Sequence, residues 1–230
     1  MDLHDIFSLK PREIFSLIIS LPITIYVNFR CLPFKTACKL PLFVSYHTRL
    51  DKLSRNVEFG CEPSTFMVRI GWGGTAGRET GQKNYILLGE NAHLKFNGRC
   101  TMSSGVSLTL DLGTLEIGDH FFCNKNCSFS CNDHITIGDN ALFGWNVELL
   151  DSDNHKLTHR KKTASIDRGP IQIGNHVWIA AFSHILKNTS IPNGSVVAYH
   201  SIVTKAFSGE KLLIGGYPAK ILSDQVEWKQ

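Results

Sequence analysis

The sequence predicts an all-β solenoid, a parallel β-helix whose short strands wind around one narrow core. Three features predict it: an aliphatic residue at every sixth position, a recurring motif with a glycine near its end, and a polar stretch that interrupts the repeat. An α-helix requires an apolar period of about 3.6 residues and a half-buried strand a period of about two, so a period of six fits neither. Short strands joined by tight corners explain it, with one large inward side chain on each face of a triangular coil.

The six-residue period is longest near the end of the chain, where it forms an unbroken ladder of β-branched aliphatic residues. The ladder contains Ile173, Ile179, Ile185, Ile191, Val197 and Val203. The same spacing occurs earlier at Ile137, Phe143 and Leu149, before residues 151–170 break the register. We therefore predict that these side chains line the core, in coils stacked about 4.8 Å apart.

The recurring motif reads aliphatic, any residue, aliphatic, Gly, an acidic residue or Asn, and finally Asn or His. It occurs at Ile86–Asn91, Leu115–His120, Ile135–Asn140 and Ile171–His176. Glycine adopts backbone dihedrals that other residues avoid. The motif therefore indicates a strand that ends in a tight corner, where the glycine supplies the unusual backbone conformation.

The repeat divides the chain into three segments. We expect an N-terminal cap over residues 1–60, the β-helix over residues 61–222 with a loop extruded at 151–170, and a short helix in the tail, residues 223–230. A stacked coil exposes its terminal rung, so a solenoid needs a cap. The apolar residues 12–30 favour a helix that covers the base of the β-helix, and shallow contact with a membrane is the alternative.

Composition excludes some classes of protein. The formal net charge is only +4, without long basic runs, which argues against nucleic acid as a partner. The seven cysteines are odd in number and no secretion signal is evident, which favours reduced thiols in the cytoplasm. Cys123, Cys127 and Cys131 recur at every fourth position but lack the paired C-x-x-C spacing of a zinc site, so we expect packing and no metal.

Four further motifs occur in a fixed order. They are Asp151-Ser152-Asp153-Asn154-His155, Val177-Trp178-Ile179-Ala180, Val203-Thr204-Lys205 and Gly216-Tyr217-Pro218-Ala219-Lys220. With the hexads, their order and spacing over residues 115–222 resemble the hexapeptide-repeat acyltransferases, and most closely the polysaccharide and galactoside O-acetyltransferases. The resemblance implies a left-handed β-helix, acetyl-CoA as acyl donor and a homotrimer with sites between adjacent subunits. Only the resemblance implies the left hand, which is an exception to the right-handed crossover rule.

The resemblance also assigns residues to the reaction. It implies that His155 is the catalytic base, because an imidazole, whose ordinary pKa is about 6.5, is suited to take the proton of a hydroxyl at cellular pH. Asp151 or Asp153 is expected to orient the ring, and the sequence does not choose between them. Asn124 and Asp153 are expected to bind the acceptor.

A second set of residues is expected to contact the coenzyme. These residues are Trp178, Ala180, Ala181, Tyr199, Thr204, Lys205 and Lys220. The amide near Ala181 would hold the developing oxyanion, and the two lysines would meet phosphates. Ala180 stands where the family usually has glycine, and Ala198–Ser201 replaces the family's G-A-G-S stretch.

The resemblance predicts an enzyme that transfers an acetyl group from acetyl-CoA to a hydroxyl of a bacterial surface saccharide, such as capsule or lipopolysaccharide. The expected location is the cytoplasm, at the inner face of the membrane if residues 12–30 contact it. A sugar N-acetyltransferase and a non-catalytic β-helix scaffold are the alternatives. A zinc carbonic anhydrase on the same fold, using His155 and His159, is a third.

Overall fold

The computed structural model describes residues 11–74, 83–155 and 167–229. Over these residues the chain winds as a left-handed parallel β-helix, which confirms the predicted fold. Every third strand returns to the same sheet, so the chain visits sheets A, B and C in turn. Two helices precede the strands of the described chain, α1 (Pro11–Cys31) and α2 (Phe34–Ala37).

Each sheet is a stack of short strands contributed by successive coils. In spatial order, sheet A contains β1 (Leu42–Val44), β4 (Val68–Ile70), β7 (Cys100–Met102), β10 (Phe121–Cys123), β13 (Leu142–Phe143), β16 (Trp178–Ile179), β19 (Val196–Val197), β21 (Leu213–Gly216) and β22 (Ala219–Ser223). Sheet B contains β2 (Thr48–Leu53), β5 (Asn84–Leu88), β8 (Ser107–Leu110), β11 (Ser128–Cys131), β14 (Glu148–Leu150), β17 (His184–Leu186) and β20 (Ile202–Val203). Sheet C contains β18 (Thr189–Ile191), β15 (Ile171–Ile173), β12 (His134–Ile137), β9 (Thr114–Ile117), β6 (His93–Phe96) and β3 (Val57–Phe59). Paired strands of the described chain are parallel, except that β22 runs antiparallel to β21.

The predicted hexad ladder forms the core of the β-helix. Phe143 pairs with Ile179, and Ile179 with Val197, in successive coils of sheet A. Leu149 pairs with Ile185 in sheet B. All five side chains are fully buried. Burial of a large apolar side chain contributes about 2 kcal/mol, so repetition of one inward residue per face supplies the stabilisation of a narrow solenoid.

The glycine of the recurring motif has a different role from the one predicted. The φ angle of Gly138 lies outside the left-handed region, but a Cβ atom there would lie 2.6 Å from the carbonyl carbon of Gly174 in the next coil. The positive φ occurs two residues later, at Asn140 (55°) and at His176 (52°). Glycine is therefore required because two coils approach closely, while Asn or His takes the left-handed conformation.

In three copies of the motif the acidic or Asn residue ties its coil to the coil before it. Asp119 Oδ1 accepts a hydrogen bond from the N–H of Arg99 at 2.6 Å, and Asp139 Oδ1 accepts one from Asp119 at 2.7 Å. Asn175 Oδ1 and Asn193 Oδ1 repeat the contact with the preceding coil, both at 2.8 Å. The motif requires this residue type because it supplies the acceptor that the corner N–H lacks.

The β-helix begins earlier than the boundary predicted at residue 60. β1, β2 and β3 already pair in parallel with β4, β5 and β6. A register irregularity between Leu50 and Leu53 in β2 disturbs the spacing of this first coil. The hexad pattern is therefore not visible there in the sequence.

The tail contains no helix over residues 223–229, so that prediction was wrong. β22 instead pairs with β21, and the chain then returns to the corner of the β-helix at His176. The rings of Trp228 and His176 stack with centroids 4.1 Å apart and planes 6° apart. The indole Nε1–H of Trp228 also donates to the carbonyl oxygen of His176 at 3.0 Å. These tertiary contacts hold the tail in an extended conformation.

Candidate active site

An apolar cleft of about 580 Å³ lies on the outer face of sheet A, at the corner where the chain turns toward sheet B. Trp178, Ala180, Ala181 and Tyr199, which the sequence predicted as coenzyme contacts, line it. Trp178 lies in β16, and the other three residues belong to the corners that follow β16 and β19. The fold therefore brings the middle part of the predicted site together in one cleft.

Sequence reasoning missed the other walls of this cleft. They are Trp145, Phe182, Val196, Ala198 and Leu213. Because Phe143 pairs with Ile179, Trp145 occupies in one coil the position that Ala181 occupies in the next. Extending the hexad register by two residues beyond Phe143 would have found Trp145.

The corner that rims the cleft is aromatic and strained. Phe182 has φ of 62° and His200 has φ of 57°, a region that bulky residues avoid at a cost on the order of 1–3 kcal/mol. The ring of Phe182 packs edge-on against Tyr199, with centroids 5.5 Å apart. The same positive φ recurs at the corner residues Asn140 and His176, so it belongs to the repeat, and the aromatic side chains distinguish this corner.

The backbone N–H of Ala181 has no hydrogen-bond acceptor in the part of the chain that the structure describes. Its neighbours Ala180 and Phe182 both donate to backbone carbonyls. The equivalent N–H at Tyr199 is also unpaired among the described residues, so the corner geometry creates the free donor. A free N–H in the wall of an apolar cleft is suited to stabilise a developing oxyanion.

Asn124 lies at the corner that follows sheet A, in the position that Ala180 occupies two coils later. It follows β10 and is buried, and its backbone N–H donates to Phe143 at 2.9 Å. The predicted acceptor residue therefore shares an edge of the β-helix with the cleft, although it is not part of the cleft wall.

Three other predicted coenzyme contacts do not line this cleft. Thr204, Lys205 and Lys220 are exposed. The ammonium of Lys205 lies 5.3 Å from the centroid of the Phe207 ring, and Lys220 lies on β22 opposite Gly215. Lys205 and Lys220 are therefore exposed in the single chain and do not form part of the cleft wall.

The polar interruption leaves the β-helix where the sequence placed it. β14 ends at Leu150 and β15 begins at Ile171, and the described residues between them, 151–155 and 167–170, lie outside the strands of the β-helix. An isolated antiparallel bridge between Ser152 and Arg168 closes the base of the excursion. The excursion therefore departs from a fixed stem at the corner between sheets B and C.

His155 is exposed just beyond this stem. Residues 156–166, which include His159 and the middle of the predicted loop, lie outside the described residues. The imidazole of His155 makes no hydrogen bond within the described ranges of the chain. It is therefore open to a ligand or to a second molecule.

Asp151 supports the excursion from inside the fold. Its side chain is buried, and its carboxylate oxygens accept hydrogen bonds from the N–H groups of Asn132 at 2.8 Å and Asp133 at 2.9 Å. Burial raises the pKa of Asp151, although these two N–H donors act in the opposite direction. The residue is thus a structural acceptor at the foot of the loop.

Asp153 is exposed and forms an ion pair with Lys187. Neither Asp151 nor Asp153 forms a hydrogen bond with His155 among the residues described. The orienting role of Asp151 or Asp153 therefore stays a prediction.

The cleft and His155 lie at different corners of the triangular coil. The cleft follows the strands of sheet A, whereas His155 follows β14 in sheet B. The width of sheet B separates them, which for about five extended residues is on the order of 15 Å. A single chain therefore does not bring the predicted base and the predicted coenzyme cleft together.

Cys123, Cys127 and Cys131 are buried in the core, as their apolar positions indicated. Burial raises the pKa of the Cys123 and Cys131 thiols. Within the described ranges, no group of three His, Cys, Asp or Glu side chains is placed to hold a metal ion.

The hexad core, the interrupted coil and the left hand resemble those of the hexapeptide-repeat acetyltransferases, so the resemblance seen in the motifs is confirmed. The chain is 36% identical over 115 residues to a putative acetyltransferase of Schizosaccharomyces pombe, covering 49% of this chain and 55% of that protein. It is 32% identical over 111 residues to the galactoside O-acetyltransferase of Escherichia coli, covering 48% of this chain and 54% of that protein. The chain therefore spans about half the length of these curated relatives. No family model matches it.

The likeness of fold is shown by one solved structure. The polySia-specific acetyltransferase NeuO superposes with a TM-score of 0.51 at 22% identity, covering 83% of this chain and 79% of that one. A hexapeptide-repeat-containing acetyltransferase of Vibrio cholerae is 32% identical, with a TM-score of 0.43, over 49% of this chain and 64% of that one.

Proposed function

We propose that this protein transfers an acetyl group from acetyl-CoA to a hydroxyl group of a bacterial surface saccharide, such as capsule or lipopolysaccharide. The observation that carries the proposal is the cleft lined by Trp178, Ala180, Ala181 and Tyr199, in a chain whose relatives are named acetyltransferases. The apolar cleft suits the pantetheine arm of the coenzyme. The exposed Lys205 and Lys220 are proposed to bind its phosphates.

The proposed reaction is a direct acyl transfer. The acceptor oxygen attacks the thioester carbonyl carbon as His155 removes the hydroxyl proton, so a C–O bond forms and the carbonyl oxygen becomes an oxyanion. The N–H of Ala181 donates to that oxyanion. The C–S bond then breaks, the thiolate takes up the proton that His155 received, and the products are the acetyl ester and free coenzyme A.

The separation of His155 from the cleft supports assembly as a homotrimer. Flat faces of a triangular coil suit threefold packing, and His155 of one subunit would then complete the cleft of its neighbour. Asn124 and Asp153 are the proposed acceptor contacts. The protein is proposed to act in the cytoplasm, where acetyl-CoA is available.

A coupled assay for thiol release tests both the activity and the base. With acetyl-CoA and a saccharide acceptor, we expect thiol release and one acetyl ester per thiol. His155→Ala should lower kcat by about 10²–10⁴-fold with little change in KM for acetyl-CoA. His93→Ala, at an exposed histidine on β6, is the matched control and should keep wild-type turnover. A folded His155→Ala protein within about threefold of wild-type kcat would contradict the assignment.

Mixing variants tests the shared site. His155→Ala and a cleft-filling Ala198→Trp variant should each be nearly inactive alone. When they are unfolded and refolded together, about a quarter of the sites should pair an intact base with an intact cleft if the site lies between subunits. No recovery in trimeric mixtures would place the whole site in one subunit. A monomer by light scattering would reject the assembly.

Acceptor chemistry separates the alternatives. A sugar N-acetyltransferase would form an amide that survives mild alkali, whereas the proposed ester would not. A β-helix scaffold would release no thiol with any acceptor.

A further inference from the structure

Three polar residues form a row along the side of α1 that faces the protein, where Val27 and Cys31 are also buried, and the side that faces outward is apolar. Ser20, Thr24 and Asn28 are fully buried against the β-helix. The exposed side chains on the opposite face are Ile14, Phe15, Ile18, Ile25, Tyr26 and Phe29. Surface helices of globular proteins ordinarily expose polar residues, so the apolar outward face of α1 is unusual.

This row of polar residues replaces a neighbouring strand at the free edge of sheet A. The contacts join Asn28 to Leu42, Thr24 to Val44 and Ser20 to Tyr46. Asn28 donates to the carbonyl of Leu42 at 2.6 Å and accepts from its N–H at 3.2 Å. Four helical residues rise about 6.0 Å and two strand residues about 6.6 Å, so each polar side chain meets every second residue of the edge.

This match fixes the direction of the apolar face. Rotating α1 to bury that face would break the contacts of Thr24 with both backbone groups of Val44, at 3.0 and 3.1 Å, and those of Asn28 with Leu42. The edge of β1 would then be left without partners. The apolar face is therefore held outward by the same residues that cap the β-helix.

The outward face is long and continuous. Phe15 is 63% exposed, Tyr26 56% and Phe34 73%. Phe34, at the start of α2, extends the face because its ring lies 5.7 Å from that of Phe29. Within the described chain, the window Ile14–Cys31 is long enough to cross a membrane, with a mean hydropathy of 1.6 and 28% of it buried. Contiguous exposed apolar surface of this kind marks an interaction site.

Charge indicates which surface covers this face. Residues 10–39 contain five basic residues and one acidic residue, Glu13. The basic residues occur at both ends of the apolar stretch, with Arg30 and Lys35 following it. An anionic lipid surface complements this pattern at both ends. A second copy of the same helix would bring like charges together.

We propose that α1 and Phe34 lie in the plane of an anionic bilayer, with the apolar face buried about 5–10 Å below the headgroups. The hydrogen bonds of Thr24 and Asn28 keep the helix attached to the β-helix, so it lies along the membrane and does not cross it. The β-helix is thereby held at the bilayer by its N-terminal end. This inference does not depend on acetyl transfer.

Vesicle flotation of the full chain tests the proposal. We expect binding to phosphatidylcholine vesicles that contain about 30% phosphatidylglycerol, weaker binding to pure phosphatidylcholine, and release as salt is raised. Phe15→Ser combined with Phe29→Ser should reduce the partition coefficient at least about tenfold, because both rings leave the apolar face. Ile221→Ser combined with Leu222→Ser, at exposed apolar residues on β22, is the matched control and should bind like the wild type.

A charge variant tests the electrostatic part separately. Arg30→Gln and Lys35→Gln should each weaken binding to the anionic vesicles about fivefold, and neither should affect binding to neutral vesicles. Circular dichroism melts should be unchanged in these variants, since the substituted side chains are exposed.

Three outcomes would overturn the proposal. The first is absence of binding to anionic vesicles. The second is a lipid-free assembly that dissociates in the Phe15→Ser/Phe29→Ser protein, because the face would then be covered by a second copy. The third is resistance of the vesicle-bound protein to extraction by alkaline carbonate, because α1 would then span the bilayer.

Discussion

The two ends of the β-helix meet the same requirement with different structures. A parallel solenoid leaves an unpaired strand edge at each end, and unpaired backbone groups are costly when buried. At the N-terminal end of sheet A, side chains of α1 bond the backbone of β1. At the C-terminal end the chain reverses and adds β22 as an antiparallel strand. A helix can therefore cap a strand edge where its polar spacing matches the strand, whereas a reversed strand needs no side chain in particular.

A single substitution should lower the stability of the protein more at the N-terminal cap than at the C-terminal end. Asn28→Leu removes the partners of both backbone groups of Leu42 in a fully buried place. Each unsatisfied group costs about 2 kcal/mol, so the free energy of unfolding should fall by about 4 kcal/mol in urea titrations. Ile25→Gln, on the outward face of the same helix, should change it by less than about 0.5 kcal/mol. A loss under about 1 kcal/mol for Asn28→Leu would show that α1 is dispensable as a cap.

The interior of the stack has less freedom to adjust than either end. Gly138→Ala would place a Cβ atom 2.4 Å from Asn175 Oδ1 and 2.6 Å from the carbonyl carbon of Gly174. Separating the two coils should cost about 3 kcal/mol. Thr136→Ala, on the same side of the coil, is the control and should cost well under that amount. If Gly138→Ala and Thr136→Ala were equally stable in thermal melts, the coils could separate without an energetic cost.

The loop after β14 interrupts the stack of coils in the middle of the β-helix. Asp151, at the start of that loop, accepts hydrogen bonds from the backbone of Asn132 and Asp133. Asp151→Asn keeps one acceptor but presents its amide to the second N–H, so stability should fall by about 2 kcal/mol. Because burial raises the folded pKa of Asp151, the protonated form favours the native state. The contribution of Asp151 to the free energy of unfolding is fully present below the pKa that its carboxyl has in the unfolded chain. This contribution is lost as the pH rises through the pKa of Asp151 in the folded protein. The stability difference between wild type and Asp151→Asn should therefore shrink as pH rises, and the opposite slope would contradict the assignment.

The smallest effect is expected at the C-terminal tail. Trp228→Ala removes a stacked ring pair and one hydrogen bond to His176, both partly exposed, and should cost about 1 kcal/mol. Trp228→Phe should restore part of that loss, because the stacking returns without the indole N–H. If Trp228→Ala lowered the free energy of unfolding by more than Asn28→Leu does, the C-terminal end would be the more sensitive one, contrary to this prediction.

The core could be predicted from the sequence, because one inward residue per face gives a spacing that no other fold produces. Ile179 and Ile185 lie where the hexads placed them. The corner motif was recognised with the wrong reason for its glycine, since close approach of Gly138 to the next coil depends on stacking that spacing alone does not reveal. The helix predicted for the tail was wrong because the tail packs against His176, which lies far away in the sequence.

The candidate site could be predicted only in part. The cleft around Trp178 follows from a local motif, so its residues came together as expected. The relation of His155 to that cleft depends on which corner of the coil each occupies, and a motif carries no such information. The polar spacing of Ser20, Thr24 and Asn28 is visible in the sequence, but it acquires meaning only when the edge of β1 is known to lie beside it.

The corner contacts of Asp119, Asp139 and Asn175 have an evolutionary consequence. At these joints, which follow strands of sheet C, one acceptor reaches back to one N–H, at 2.7 Å for Asp139 and 2.8 Å for Asn175. Because these joints after sheet C are alike, a gene can gain or lose a whole coil by duplication or deletion and still present a matching contact at the new junction. Descendants of one ancestor can thus differ in the length of the prism while keeping the same corner chemistry.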